Sequence, residues 1–362
     1  MRTLVISDLH IGARNGRSRL DDDQVVSTLA AAIAEVDHLV LLGDVVELRQ
    51  NPMRDALAAA SRVLPRLVAG LGPGKEVTLV TGNHDHELFG SWEVRRGATA
   101  PPPPMSPETA VDWRDGEPLA ALAGMLGQSG ATVRGAYPGV LLRDDVYATH
   151  GHYLDCHTTA PGFERLLAGW NSKMLKLPGD QMRSVDDYER VLSPIYAWML
   201  ALSERGGPEL DGAEGGVGSV KILRILNEGG LKGGALQVGV SALAKALQLA
   251  GLGELSGDVT GDALYLTELR GMGLALSNLG VDSHYVIFGH THRAGPLPDD
   301  DASPWLAPTG SQMLNSGCWV HEGTAFLKPG DEFMSAYRPG FAIELDDSDP
   351  ATPPRLVNLL DG

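Results

Sequence analysis

The sequence predicts an α/β fold built on a sheet with parallel strands, and two observations carry that expectation. Short apolar runs recur along the chain, each ending in a knot of polar residues. The stretches between them have helical spacing, as in βαβ units, where helices cover both faces of the sheet and its strands read as unbroken apolar segments.

Residues 3–7, 38–42, 77–81 and 285–288 read as strands buried on both faces, and 145–148 is a further apolar segment. Residues 22–36 and 53–69 are Ala/Leu-rich with helical periodicity, and Asp21–Asp23 place carboxylates where the first helix's dipole favours them. Residues 98–113 contain the run Pro101–Pro104, too stiff for a helix or a central strand, and read as a surface loop. From 156 to 280 the pattern is helical, with candidate helices at 163–177, 185–203, 220–226, 235–250 and 262–279 separated by glycines. Residues 313–320, 324–327, 340–345 and 356–359 form a closing set of strands. The organisation expected is thus a core of 1–155 and 281–362 interrupted by a helical cap at 156–280.

Composition narrows the function. Of 362 residues, 43% are hydrophobic and 21% charged, ordinary for a folded chain. The net charge of −17 disfavours unaided binding to nucleic acid, which needs a Lys/Arg surface. Two cysteines, Cys156 and Cys318, are too few for a disulfide framework or a thiolate zinc site. Residues 1–7 read as a strand rather than a leader and no apolar stretch is long enough to span a bilayer, so a cytoplasmic location is expected.

The polar knots carry the chemistry. Asp8-Leu9-His10 follows the first strand, and on an extended segment its i, i+2 spacing would project a carboxylate and an imidazole to one side. Gly43-Asp44 follows the second strand, Gly82-Asn83-His84-Asp85 the third, His150-Gly151-His152 the 145–148 segment, and Gly289-His290-Thr291-His292 the strand at 285–288. Ligands of open α/β sheets bind at such carboxyl ends. Taken singly, Asp8 or Asp44 reads better as a helix cap and His10 as a solvated side chain. Independent caps would not follow strand after strand.

In order and type, these motifs resemble the calcineurin-like metallophosphoesterases, whose signature runs D-x-H, G-D, G-N-H-D/E, a later His, and G-H-x-H; Asn315-Ser316-Gly317 is similar to the Asn-x-Gly segment that follows in many members. The resemblance implies a four-layer α/β/β/α sandwich of two mixed sheets, with the helical cap as an addition. It also implies two divalent metal ions, Mn, Fe or Zn, one held by Asp8, His10 and His292, the other by Asn83, His150 and His290, with Asp44 bridging. Whether His150 or His152 is the ligand stays open.

Two such ions can activate a water as nucleophile and neutralise phosphoryl charge. The expected activity is hydrolysis of a phosphomonoester, phosphodiester or pyrophosphate in a small-molecule or nucleotide substrate. A nuclease of the same fold and a non-catalytic scaffold are the alternatives. His84 is the candidate catalytic group, with Glu47 or Asp85 to orient it; spacing alone leaves Glu47 equally open as a solvated carboxylate. Arg14, Arg49, Arg293 and His152 are candidate substrate contacts.

Overall fold

The computed structural model describes residues 1–98, 100–158, 163–205, 261–321, 335–348 and 351–361. Strands β1 (Arg2–Ile6), β2 (His38–Leu42) and β3 (Glu76–Val80) lie side by side and parallel, linked by helices α1 (Asp23–Ala34) and α2 (Met53–Leu67). Asp22 opens α1 by accepting the Gln24 N–H at 2.8 Å, supplying a partner for a donor the helix leaves free. Ala56, Ala60, Leu64 and Leu67 recur at helical spacing along the buried face of α2.

β5 (Thr132–Arg143) extends the row and changes partners midway. Its first residues pair parallel with β3, and those from Gly139 onward pair antiparallel with β6 (Val146–Thr149). β7 (Tyr285–Phe288) and β8 (Gln312–Asn315) follow in parallel. On the other side of β1, β9 (Phe341–Asp346) and β10 (Arg355–Asn358) are antiparallel, so the mixed sheet runs β10-β9-β1-β2-β3-β5-β6-β7-β8.

Alternation along each strand feeds two cores. Leu4, Ile6, Leu39 and Leu41 pack with Leu29, Ile33 and Leu64 of the helices. Their neighbours Val5, Val40, Leu42 and Val80 instead share a cluster with Val140, Val146, Ala148, Ile287 and Leu314 from the far half of the row. Strands distant in the hydrogen-bonded order therefore bury side chains together. Truncating one such leucine, Leu41→Ala, should cost about 2–5 kcal/mol.

Several expectations need correction. Residues 98–113 are not all loop, because β4 (Glu108–Val111) pairs antiparallel with β5. β5 itself escapes sequence reading because Gly135, Pro138 and Gly139 interrupt it; Pro138 falls between the residues paired with β3 and those paired with β6, and stands opposite Glu108 at the end of the β4 pairing. The strand expected at 313–320 ends at Asn315, beyond which Cys318 and Val320 make isolated bridges to Pro339 and Ser18. α3 (Gly90–Gly97) and α4 (Pro118–Leu126) complete the core's helices. In the 156–280 segment, α5 (Phe163–Leu175), α6 (Val185–Glu204) and α7 (Gly261–Leu279) match three candidate helices. Those at 220–226 and 235–250, and the strand at 324–327, lie outside the described residues. No helix among the described residues is long and apolar enough to cross a membrane.

Candidate metal centre

The polar knots converge at the carboxyl ends of β1, β2, β3, β6 and β7. Among the described residues, six non-glycine residues have left-handed backbone: Asp8 (φ 56°), His10 (44°), Asp44 (53°), His290 (67°), His292 (60°) and Lys176 (53°). Five of them belong to the knots. The extended geometry expected for Asp8-Leu9-His10 is thereby corrected; the strand ends at Ile6 and the chain turns sharply at both ligand-type residues. Such conformations cost an L-residue roughly 1–3 kcal/mol and persist only where surroundings enforce them. Here the enforcement is a backbone ladder between loops, with Asp8 N–H donating to Gly43 O (3.1 Å), His10 N–H to Asp44 O (2.8 Å) and Gly289 N–H to His150 O (3.0 Å). Close approach fixes two glycines as well. A Cβ on Gly82 would stand 2.5 Å from His150 Nε2, and one on Gly289 2.5 Å from Asp8 Oδ2.

The side chains gather in overlapping groups. His292 Nε2 lies 3.1 Å from Asp8 Oδ1 and 3.2 Å from His10 Nε2. His150 Nε2 lies 3.3 Å from Asp44 Oδ2 and 3.0 Å from Asn83 Oδ1, and His290 Nδ1 lies 3.0 Å from the same amide oxygen. Asp8, His10 and His292 could hold one cation, and Asp8, Asp44 and His150 close on a second position. These donor atoms fit a metal better than one another. His10 engages Glu47 through Nδ1 (3.1 Å) and so turns a lone pair at Nε2 toward His292 Nε2. No hydrogen-bond donor is aligned on buried Asp8 Oδ1, although His292 is close. Hard oxygen and imidazole donors without thiolates suit Mn, Fe or Zn.

Electrostatics follow from packing acids and imidazoles out of water. Burial opposes ionisation of Asp44, but His150 and His84 outweigh it and hold the carboxyl well below its usual range. Burial, with His84 alongside, lowers His10 and favours the neutral ring a ligand requires.

Around this cluster lies a supporting layer. Glu47, fully buried rather than solvated, accepts from both His84 Nδ1 (2.8 Å) and His10 Nδ1. Asp85 does not orient His84. It accepts the backbone N–H groups of Gly82 (2.7 Å), Asp44 (3.2 Å) and Val45 (2.7 Å), tying the second loop to the third. Burial and then the Arg49 charge press the His84 pKa down, yet Glu47 and Asp44 leave it above the ordinary value. Asn315 Nδ2 donates to Gly289 O at 2.8 Å and steadies the last loop.

Four residues of this layer are absent from the sequence reading. Asp155 holds His290 Nε2 at 3.0 Å and is itself bonded by Arg165 Nε (2.8 Å), whose other nitrogen reaches Glu268 on α7 (2.7 Å). Glu164, at the start of α5, accepts from Asn83 Nδ2 at 3.0 Å and pairs with Arg49 through both carboxylate oxygens. Asp155, five residues beyond His150, carried a readable signal; the helical three carried none.

The candidate substrate contacts separate. Arg49 is buried, donates to His84 Nε2 at 2.9 Å and sits beside the cluster. Arg14 lies on a short 3-10 turn and meets Asn51 Oδ1 at 3.4 Å. Arg293 is bonded through two nitrogens to Asp300 (3.0 and 2.6 Å) and lies over Tyr265. His152 is buried, with Nε2 against Tyr137 Oη (3.1 Å) and its ring centroid 5.7 Å from that of His150.

A sequence model of the calcineurin-like phosphoesterase family matches residues 1–197, more than half of the chain. The protein belongs to that family. The match spans the Asp8, Asp44, Asn83 and His150 loops of this calcineurin-like phosphoesterase, and His290 and His292 join them in space from beyond its end. None of the curated proteins matches the chain. Membership implies a metal-dependent hydrolase acting on phosphate esters.

Proposed function

We propose that this phosphoesterase cleaves phosphate ester or anhydride bonds of small phosphorylated molecules or nucleotides with two divalent ions. The carrying observation is that Asp8 and Asp44 stand between two imidazole sets, His10 with His292 and His150 with His290, while Asn83 joins the second through one oxygen. In this reading Asp8, His10 and His292 hold one ion, Asn83, His150 and His290 the other, and Asp44 bridges. His150 is preferred over His152 because its Nε2, not that of His152, faces Asp44 and Asn83. Bound ions would supply Lewis acidity, activating water and neutralising phosphoryl charge.

The chain's own residues do the rest. Glu47 fixes the tautomer and orientation of His84 through Nδ1, leaving Nε2 as the atom that serves the leaving oxygen. The 156–280 segment is read as a cap on the 1–155 and 281–362 core, since α5 and α7 send Glu164, Arg165 and Glu268 toward the centre. The shared cluster of Val5, Val40, Ile287 and Leu314 supports the two-sheet, four-layer arrangement. The test is metal analysis of the purified chain, followed by turnover of a phosphomonoester, a phosphodiester dye and a nucleotide panel with Mn, Fe or Zn supplied. Fewer than two ions per chain, or no hydrolysis with any metal, sinks the reading.

A further inference from the structure

We propose that the Arg49–Asn83 cradle is the phosphoryl subsite of this centre and that Glu164 of the helical segment occupies it as a phosphate stand-in, to be displaced when substrate binds. The inference rests on the proposed phosphoesterase reading. Arg49 presents two guanidinium nitrogens to the Glu164 carboxylate, with NH2 to Oε2 at 2.7 Å, and Asn83 Nδ2 adds a third donor at 3.0 Å to the same oxygen. A guanidinium fork accepts carboxylate and phosphate in the same bidentate geometry. The amide of Asn83 spans both halves of the site, its Oδ1 facing His150 and His290 while its Nδ2 faces Glu164. An anion seated on Nδ2 is therefore one amide group away from the candidate ligands.

Two features favour exchange. Buried Arg49 Nε has no hydrogen-bond partner, so the guanidinium has a donor that the carboxylate leaves unused and that a three-oxygen phosphoryl group could engage. Glu164 also holds Arg49 against His84 Nε2, the atom assigned to the leaving oxygen. A phosphoryl group that draws Arg49 to itself frees that nitrogen at the moment it is needed. The same contact closes the subsite, which makes Glu164 a determinant of which phosphorylated molecules gain entry.

The experiment compares the wild type with Glu164→Gln, Arg49→Ala and the double variant, each loaded with manganese and checked for metal content. Orthophosphate affinity is measured by calorimetry, and KM and kcat for a small phosphomonoester alongside. Removing the competing charge should tighten orthophosphate binding about tenfold and lower KM, and Arg49→Ala should erase the gain in the double variant. Unchanged or weaker orthophosphate binding by Glu164→Gln overturns the proposal, and so does loss of manganese in that variant, which would make Glu164 a support for Asn83. The calorimetric comparison needs no turnover. A wild type that binds manganese but hydrolyses nothing would thus count against the phosphoesterase reading separately from the cradle.

Discussion

The strand-end loops and the described helices of the 156–280 segment supply the candidate metal centre with different chemistry. The loops deliver their side chains on left-handed backbone at Asp8, His10, Asp44, His290 and His292, held by hydrogen bonds from loop to loop. The helices deliver theirs, Glu164, Arg165 and Glu268, on regular backbone, and grip the outward atoms of groups the loops have already placed. Among the residues that reach the centre, left-handed backbone is thus found on the side that would touch metal. Orientation and access fall to the other.

If that division holds, damage to the loops should remove function outright while damage to the helical side should retune it. The largest effect is expected for Asp44→Ala, since Asp44 approaches both imidazole sets; the variant should lose both ions by elemental analysis and its turnover with them, while circular dichroism stays native. Retention of two ions would break the bridging assignment. Next is His84→Ala, whose ring packs on His10 (centroids 4.5 Å apart) but is not assigned to either ion; the variant should keep the metals while kcat falls roughly 10²–10⁴-fold, as for loss of an acid/base group. Near-normal kcat would return His84 to a structural role.

How much of this could be read beforehand follows the same division. Each proposed ligand announced itself, because an Asp, Asn or His just past an apolar run is visible in a linear sequence and the runs recur. The backbone that makes the motif work was not visible. Nothing in Asp8-Leu9-His10 announces two left-handed residues, since that conformation is imposed by the neighbouring Gly43-Asp44 loop. β5 was hidden by its own Pro138 and glycines, and the partnership of Val5 with Ile287 depends on tertiary packing. Glu164 and Arg165 read as ordinary first-turn helix charges, because only the docking of α5 against the loops gives them partners.

A smaller effect is expected at Asp155, the His290 partner in the turn beyond the His150 loop, which Arg165 of α5 holds from the helical side. Asp155 is held ionised by His290 and Arg165 against the opposing push of burial. Asp155→Asn keeps the shape but loses the charge, and carboxylate partners of ligand imidazoles typically contribute 10–100-fold in metal affinity. Metal titration should show that weakening at one of two sites, with kcat recovered at saturating metal. Equal loss at both sites would mean that Asp155 supports the whole loop frame rather than one ligand.

The smallest effect tests strain itself. Lys176 is the sixth left-handed residue and sits just beyond α5, where its N–H donates to Lys173 O (3.1 Å) and the Leu177 N–H to Ser172 O (2.9 Å). That is a Schellman ending, in which glycine is the usual residue at this position because a Cβ crowds the left-handed conformation. Lys176→Gly should relieve the strain, offset in part by greater freedom of the unfolded chain, for a net gain of about 0.5–1 kcal/mol in chemical denaturation. His292→Gly relieves a like strain at φ 60° but removes a proposed ligand, so it should release metal whatever it does to the apoprotein. If Lys176→Gly also altered metal content or KM, the strain at the end of α5 would belong to the site after all, and the two sides would not be as separate as their backbones suggest.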